Sequence, residues 1–164
     1  GRYETIAAHE RFRITDRIER LNRLGFDVEE VDLVHSVDDT AELLIKVKVG
    51  GRNFHANELK ALTGIDALEN QARAILSDLH YYSARAGGDT STGKSVWAVR
   101  WRANEFEPLL ARLRNVEGVS DPIQAYTDLL HHRYVLASDV GRDVTNDEAF
   151  DDWVRLGRPG YPLD

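Results

Sequence analysis

Two neighbouring stretches, "VEEVDLVHS" (28–36) and "AELLIKVKV" (41–49), change character at every second residue, a period that no helix can use. In the second stretch Leu43, Ile45, Val47 and Val49 fall on one face and Lys46 and Lys48 on the other. Between the two, "VDDT" (37–40) reads as a turn, so the pair forms a β-hairpin near residues 28–49. A lone hairpin is marginal in water. Its apolar face therefore needs a layer of helices to cover it, and the rest of the chain has to supply that layer.

The remaining punctuation is helical. Ile14, Ile18 and Leu21 recur with helical spacing, and Gly25 follows as a C-cap. Asn57 reads as the cap of a short helix through Leu59 and Leu62 that stops at Gly64. Asp66 with Glu69 reads as a capping box for a helix whose stripe is Leu68, Ala72, Ile75, Leu76, Leu79 and Tyr82. Another helix is expected from Ser95 to Leu113, with Trp97 and Trp101 on one face and Pro108 kinking or restarting it. Asp121, Pro122 and Gln124 open the next, which carries Ile123, Tyr126, Leu130 and Tyr134. Thr145 and Glu148 box the last, with Phe150 and Trp153 facing inward. Stops at Gly25, Gly64, Gly87, Gly118, Gly141 and Gly157 complete the reading. The expected fold is a mainly helical α+β domain, about six helices around one core plus the hairpin. The end, "GRPGYPLD" (157–164), has too much Gly and Pro for regular structure.

A chain of 164 residues fits a single domain (1–164) that buries roughly 70% of its unfolded surface. Residue 1 is Gly and there is no methionine, so the chain reads as a domain excised from a longer one. No apolar run approaches the roughly 18 residues of a membrane span, and without cysteine a reducing cytoplasm is the expected setting. A net charge of −7 argues against nucleic acid as a partner. The early arginines at 11, 13, 17, 20 and 23 do not alter that, because Asp16 before Arg20 and Glu19 before Arg23 make helix-face pairs.

Two stretches invite chemistry. "GGDTSTGKS" (87–95) spells the phosphate-loop pattern GxxxxGK[ST] from Gly88 to Ser95, with Lys94 and Ser95 in the phosphate and magnesium positions. Such a loop works when a buried strand delivers it rigidly. Here "ARAILSDLHYYSARAG" precedes it with helical spacing, so the expectation is a polar connection between two helices and no bound cofactor. The second stretch is "LLHHRYVLASDVGRDV" (129–144). Asp128 and His132 stand four apart on one helix face and, with Asp139, are the candidates for a metal. A zinc site needs at least three protein ligands, and none completes the set nearby. His131 points about 100° from His132, so the two cannot chelate together, and the expected role of the run is packing at a helix end. No nucleophile elbow and no cysteine nucleophile is present.

"RITDRIERLNRLGFDVEEV", "LTGIDALENQARAILSDL", "FEPLLARL" and "DPIQAYTDLLHHRYVLASDVGRDV" occur in an order that resembles the bacterial, largely actinobacterial family called domain of unknown function 4032. The resemblance runs from about Arg11 to Trp153. It implies a kinase-like domain beside this one on the same polypeptide, and no known activity. The family's Glu-His-Arg-Trp-like run stands where this chain has His131, His132, Arg133 and Tyr134, and "GRDV" matches Gly141 to Val144. The expected function is a non-catalytic accessory or interaction domain, with the hairpin edge and the polar residues Arg133, Arg142 and Asp143 as its candidate contact surfaces. A homo-oligomer is the other partner considered. The alternative is a ligand-binding or enzymatic domain using Lys94 and Ser95 or the His/Asp set.

Overall fold

The structure, a computed structural model, describes residues 2–7, 10–24, 26–35, 40–48, 52–87 and 92–162. In chain order the elements are β1 (Arg2–Ala7), α1 (Arg13–Arg23), β2 (Asp27–His35), β3 (Thr40–Lys48), α2 (Phe54–Thr63) and α3 (Glu69–Arg85). There follow α4 (Lys94–Trp101), a π-helical turn (Arg102–Phe106), α5 (Glu107–Arg114), α6 (Pro122–Val140) and α7 (Asn146–Arg155). The π turn joins α4 to α5 without a break, so the described chain has six helical rods, and the mainly helical α+β expectation holds.

Pro108 explains that join. It has no N–H to return to the preceding turn, and the helix absorbs the loss by widening. The Glu107 N–H reaches back five residues to the Arg102 carbonyl, and α5 then resumes with the proline in its first turn.

The hairpin forms as expected, antiparallel, with Val31 opposite Ile45 and Leu33 opposite Leu43. Its turn residues 37–39, Val49 and the expected cap Gly25 lie outside the described residues. The hairpin is not bare, however. β1 pairs antiparallel with β3, giving a three-stranded sheet of order β1-β3-β2 in which β3 is central. β1 escaped the sequence reading because its six residues, "RYETIA", carry too little alternation and no turn signal beside them.

One core was expected, and the buried side chains form two clusters. Ile14, Ile18 and Leu21 of α1 cover the sheet face made by Val28, Val31, Leu33, Ala41, Leu43 and Ile45. The larger cluster lies among the helices, around Leu59, Ile75, Trp101, Leu113, Tyr126 and Trp153. α3 joins them, because Ala84 belongs to the sheet cluster while Ile75, Leu76 and Leu79 belong to the helical one. Burying each such aliphatic side chain contributes about 1.5–3 kcal/mol.

The helix starts divide by how local their capping is. Asp121 accepts from the Gln124 N–H, and Thr145 and Glu148 cap each other's ends of the first turn of α7, as their spacing predicts. Two expected caps fail. Asn57 lies inside α2, which begins at Phe54 after Asn53. Asp66 pairs with Lys60, and Gln71, not Glu69, accepts from the Leu68 N–H at the start of α3. Glu69 is drawn off to another helix, where its carboxylate takes the Ala56 N–H at 2.9 Å in the first turn of α2. Gly64 ends α2 in the left-handed region at φ 76°, and Arg102 reaches the carbonyl of Thr63 beside it.

Candidate functional site

Of the polar residues singled out in the sequence, Arg133 reaches the crossing of α3 and α6, where it meets a carboxylate that sequence reasoning passed over. Asp78 lies in the buried face of α3 at 4% exposure. Its Oδ1 accepts from Arg133 Nη2 at 2.8 Å, and its Oδ2 from Trp101 Nε1 at 2.9 Å and the Tyr126 hydroxyl at 3.0 Å. Arg133 donates its other nitrogen to Asn146 Oδ1 at 2.8 Å and lies over the Tyr81 ring, 4.6 Å from its centroid.

The electrostatics follow from that packing. Burial opposes the charge on Arg133, but the Asp78 carboxylate outweighs burial and holds the guanidinium protonated more firmly than usual. Burial first, and Asp78 second, push the Tyr126 hydroxyl well above its ordinary range. Asp78 thus accepts three of the roughly four hydrogen bonds a carboxylate can take, and the arrangement is a polar hub inside the helical core. In the sequence, "ILSDLHYY" shows Asp78 only as a polar residue inside a helical stripe, and its partner Arg133 lies 55 positions away. A buried-acid reading would have required knowing that α3 is covered on that face too.

Arg133, expected as a contact surface with Arg142 and Asp143, is buried at 8% exposure. Arg142 stays exposed and holds Glu148 at 3.0 Å and the Asp143 carbonyl at 2.9 Å. The Asp143 carboxylate accepts the Phe12 N–H at 2.8 Å, tying the entry to α1 onto the corner between α6 and α7. The three residues thus serve two places, one interior and one at the corner.

Asp128, His132 and Asp139 are likewise separated. His132 is buried with both ring nitrogens engaged, Nδ1 with the Tyr161 hydroxyl at 2.9 Å and Nε2 with Asp152 Oδ2 at 2.7 Å. Asp128 accepts from Gln124 Nε2 and from the Tyr161 N–H, each at 3.0 Å. Asp139 is exposed on the last turn of α6. Both Asp128 and His132 therefore hold Tyr161, which pins the irregular tail, and Trp153 Nε1 adds a bond to the Pro159 carbonyl at 2.9 Å. His131 stacks its ring 4.3 Å from that of Tyr161. Among the described residues no group of three or more His, Asp or Glu is placed to hold a metal ion.

Lys94 and Ser95 form the first turn of α4, after Gly93. The Lys94 ammonium lies 3.7 Å from Glu58 Oε1, and Ser95 is exposed. Residues 88–91 of the phosphate-loop stretch lie outside the described residues, but α3 runs to Arg85 just before it, so the element that delivers the stretch is a helix.

Two further histidines, unmarked by any motif, sit at the seam between sheet and helices. His55 is buried with Nδ1 2.5 Å from Glu69 Oε2 and Nε2 3.4 Å from Asp27 Oδ1, so it bridges α3 to β2. His80 of α3 meets the backbone of Val28, and burial, then the charges of Lys94 and His55, lower its pKa to about 4. His55 and His80 became visible only once the sheet was docked.

The family model "Domain of unknown function (DUF4032)" matches residues 1–156. The chain belongs to that family. No curated protein and no solved structure matches it.

Proposed function

We propose that this member of the DUF4032 family is a non-catalytic accessory domain that works by contact, serving a kinase-like domain beside it on the same bacterial polypeptide. One observation carries the reading. The buried carboxylate and imidazole best placed for chemistry are committed to the fold, the Asp78 carboxylate accepting three bonds and both nitrogens of His132 engaged. A general base or metal ligand needs a lone pair free to face a substrate, and these groups face one another. The neighbouring kinase-like domain rests on the sequence resemblance. Isothermal titration of this domain against that domain, produced separately, tests the proposal. Saturable binding at micromolar concentrations is expected, and no heat up to high micromolar concentration would reject it.

A second reading, a ligand-binding domain, is favoured by a cleft of about 240 Å³ among α1, α3 and α6 that Arg23, Arg73 and Arg133 line. Thermal shift separates it from the phosphate-loop and metal versions. ATP with magnesium would report on Lys94 and Ser95, and zinc on Asp128, His132 and Asp139. A ligand present at a hundred times its Kd adds about 2.7 kcal/mol of stability.

A further inference from the structure

Two half-exposed arginines, Arg85 and Arg112, line one cleft between α3, the π turn, α5 and the start of α7. It measures about 280 Å³, room for about nine waters at about 30 Å³ each. The Arg85 guanidinium lies 5.4 Å from the centroid of Tyr81 and 5.6 Å from that of Tyr82, and it gives one hydrogen bond, to Glu105 Oε1 at 2.7 Å. The Arg112 guanidinium lies 4.0 Å from the centroid of Phe150 and gives one, to Asp147 Oδ1 at 2.6 Å. A guanidinium carries five N–H groups, so most donors on each have no acceptor among the described residues. The two side chains are 40% and 41% exposed, which leaves those donors within reach of a ligand.

Hydrogen bonds tie the two walls into one frame. Glu105 takes Arg85 on Oε1 and Asn146 Nδ2 on Oε2, the latter at 2.6 Å, and Asn146 Oδ1 takes Arg133 Nη1 at 2.8 Å. Arg133 also lies over the Tyr81 ring that carries Arg85. Asp147, the partner of Arg112, follows Asn146 directly in the first turn of α7. Both cleft arginines thus have one face against a ring and one bond to this frame, and they lose little side-chain freedom when a ligand arrives.

The carboxylates around them are held unequally. Glu105 is 17% exposed and bound from two sides, so its charge is taken up. Asp147 is 84% exposed and the more distant Asp151 79%, and ion pairs so placed add little stability in water. They can turn to solvent and leave Arg112 to another anion. Arg133, in the floor, is already matched by Asp78.

We propose that this cleft binds a small phosphate monoester. A phosphoryl group presents three acceptor oxygens in a pyramid and can bond donors on two walls, whereas the two oxygens of a carboxylate lie in one plane and suit a single guanidinium. The carbon body of the ester lies along Pro108, Leu109 and Val144 of the same cleft. The inference uses neither docking to a kinase-like domain nor the cleft among α1, α3 and α6, so each can fail without the others.

Isothermal titration with glycerol 3-phosphate, inorganic phosphate and acetate tests it. Saturable one-site binding of glycerol 3-phosphate is expected, with inorganic phosphate about tenfold weaker and acetate silent. Arg85→Gln and Arg112→Gln should each weaken the ester by roughly ten- to hundredfold. Asp147→Asn should tighten it by about threefold, because the competing carboxylate is gone. Arg114→Gln, which changes an exposed arginine at the end of α5 outside the cleft, should leave the affinity as it is. Melting temperatures read alongside identify any variant that fails to fold, and the remaining variants decide. Absence of heat with glycerol 3-phosphate, acetate or inorganic phosphate binding as tightly as the ester, or parental affinity in a folded Arg85→Gln or Arg112→Gln would overturn the proposal. Weaker binding in Asp147→Asn, or a loss in Arg114→Gln equal to that in the cleft variants, would overturn it as well.

Discussion

The helical core and the sheet layer achieve burial in different ways. The helical core closes over an ion pair, Asp78 with Arg133, and gives that pair two aromatic donors and an asparagine. The sheet layer closes over aliphatic side chains, from Ile14 and Ile18 on α1 to Leu43 and Ile45 on β3, and its polar contacts collect at the seam, where His55 and His80 sit. A buried ion pair is costly to desolvate and tolerates no loss of a partner, whereas an aliphatic layer loses stability in proportion to what is removed. The first region is specific, and the second is graded.

The sharpest break is Arg133→Ala. It leaves Asp78 charged and uncompensated in the helical core, and the expected loss is about 3–5 kcal/mol in urea unfolding. Arg133→Met with Asp78→Leu in the same chain should recover only part of that loss, since the stranded charge is gone but Trp101 Nε1 and the Tyr126 hydroxyl lose their acceptor. If the single change costs under about 1 kcal/mol, the hub is not what closes the core.

In the sheet layer, Leu43→Ala removes a fully buried side chain facing Leu33 and should cost about 3 kcal/mol. Combined with Arg133→Ala, the two losses should add to within about 0.5 kcal/mol if the clusters are independent. A coupling well above that would mean that α3, which joins them, transmits strain from one to the other.

The seam gives a pH dependence. The His80 pKa is lowered to about 4 from 6.5, so between those values the unfolded chain binds more protons than the folded one. The His80 contribution is therefore full above about pH 6.5 and is lost as the pH drops toward 4, by about 3 kcal/mol in total. Lys94 and His55 oppose protonation of the ring, while Glu29, Glu30 and Asp32 from β2 line the small cleft beside it. His80→Gln should flatten this part of the profile, measured by denaturation across the range. A variant that tracks the parent through it would assign the loss to the carboxylates.

Capping and the phosphate-loop stretch give the smallest effects. Thr145→Ala removes the side-chain acceptor for the Glu148 N–H and should cost about 1 kcal/mol. Lys94→Ala removes only a partly exposed contact at 3.7 Å to Glu58, and a change within about 0.5 kcal/mol is expected, with no ATP binding in either form by calorimetry. Micromolar ATP affinity that disappears in Lys94→Ala would reverse the reading of that stretch.

What the sequence determined is what neighbouring residues decide among themselves. The period-two run fixed β2 and β3, the stripe of Ile14, Ile18 and Leu21 fixed the buried face of α1, and the Asp121 and Thr145 caps fixed two helix starts to the residue. Each of these signals acts over a few positions, where backbone geometry and hydrogen bonding are settled by residues already in contact. The tertiary structure decided where a polar side chain finds its partner. Glu69 left its own helix to cap α2, Asp78 found Arg133, Trp101 and Tyr126, and β1 reached across α1 and β2 in the sequence to pair with β3. Those pairings depend on which elements pack together, and a carboxylate or an arginine has no local period that says which face will be covered.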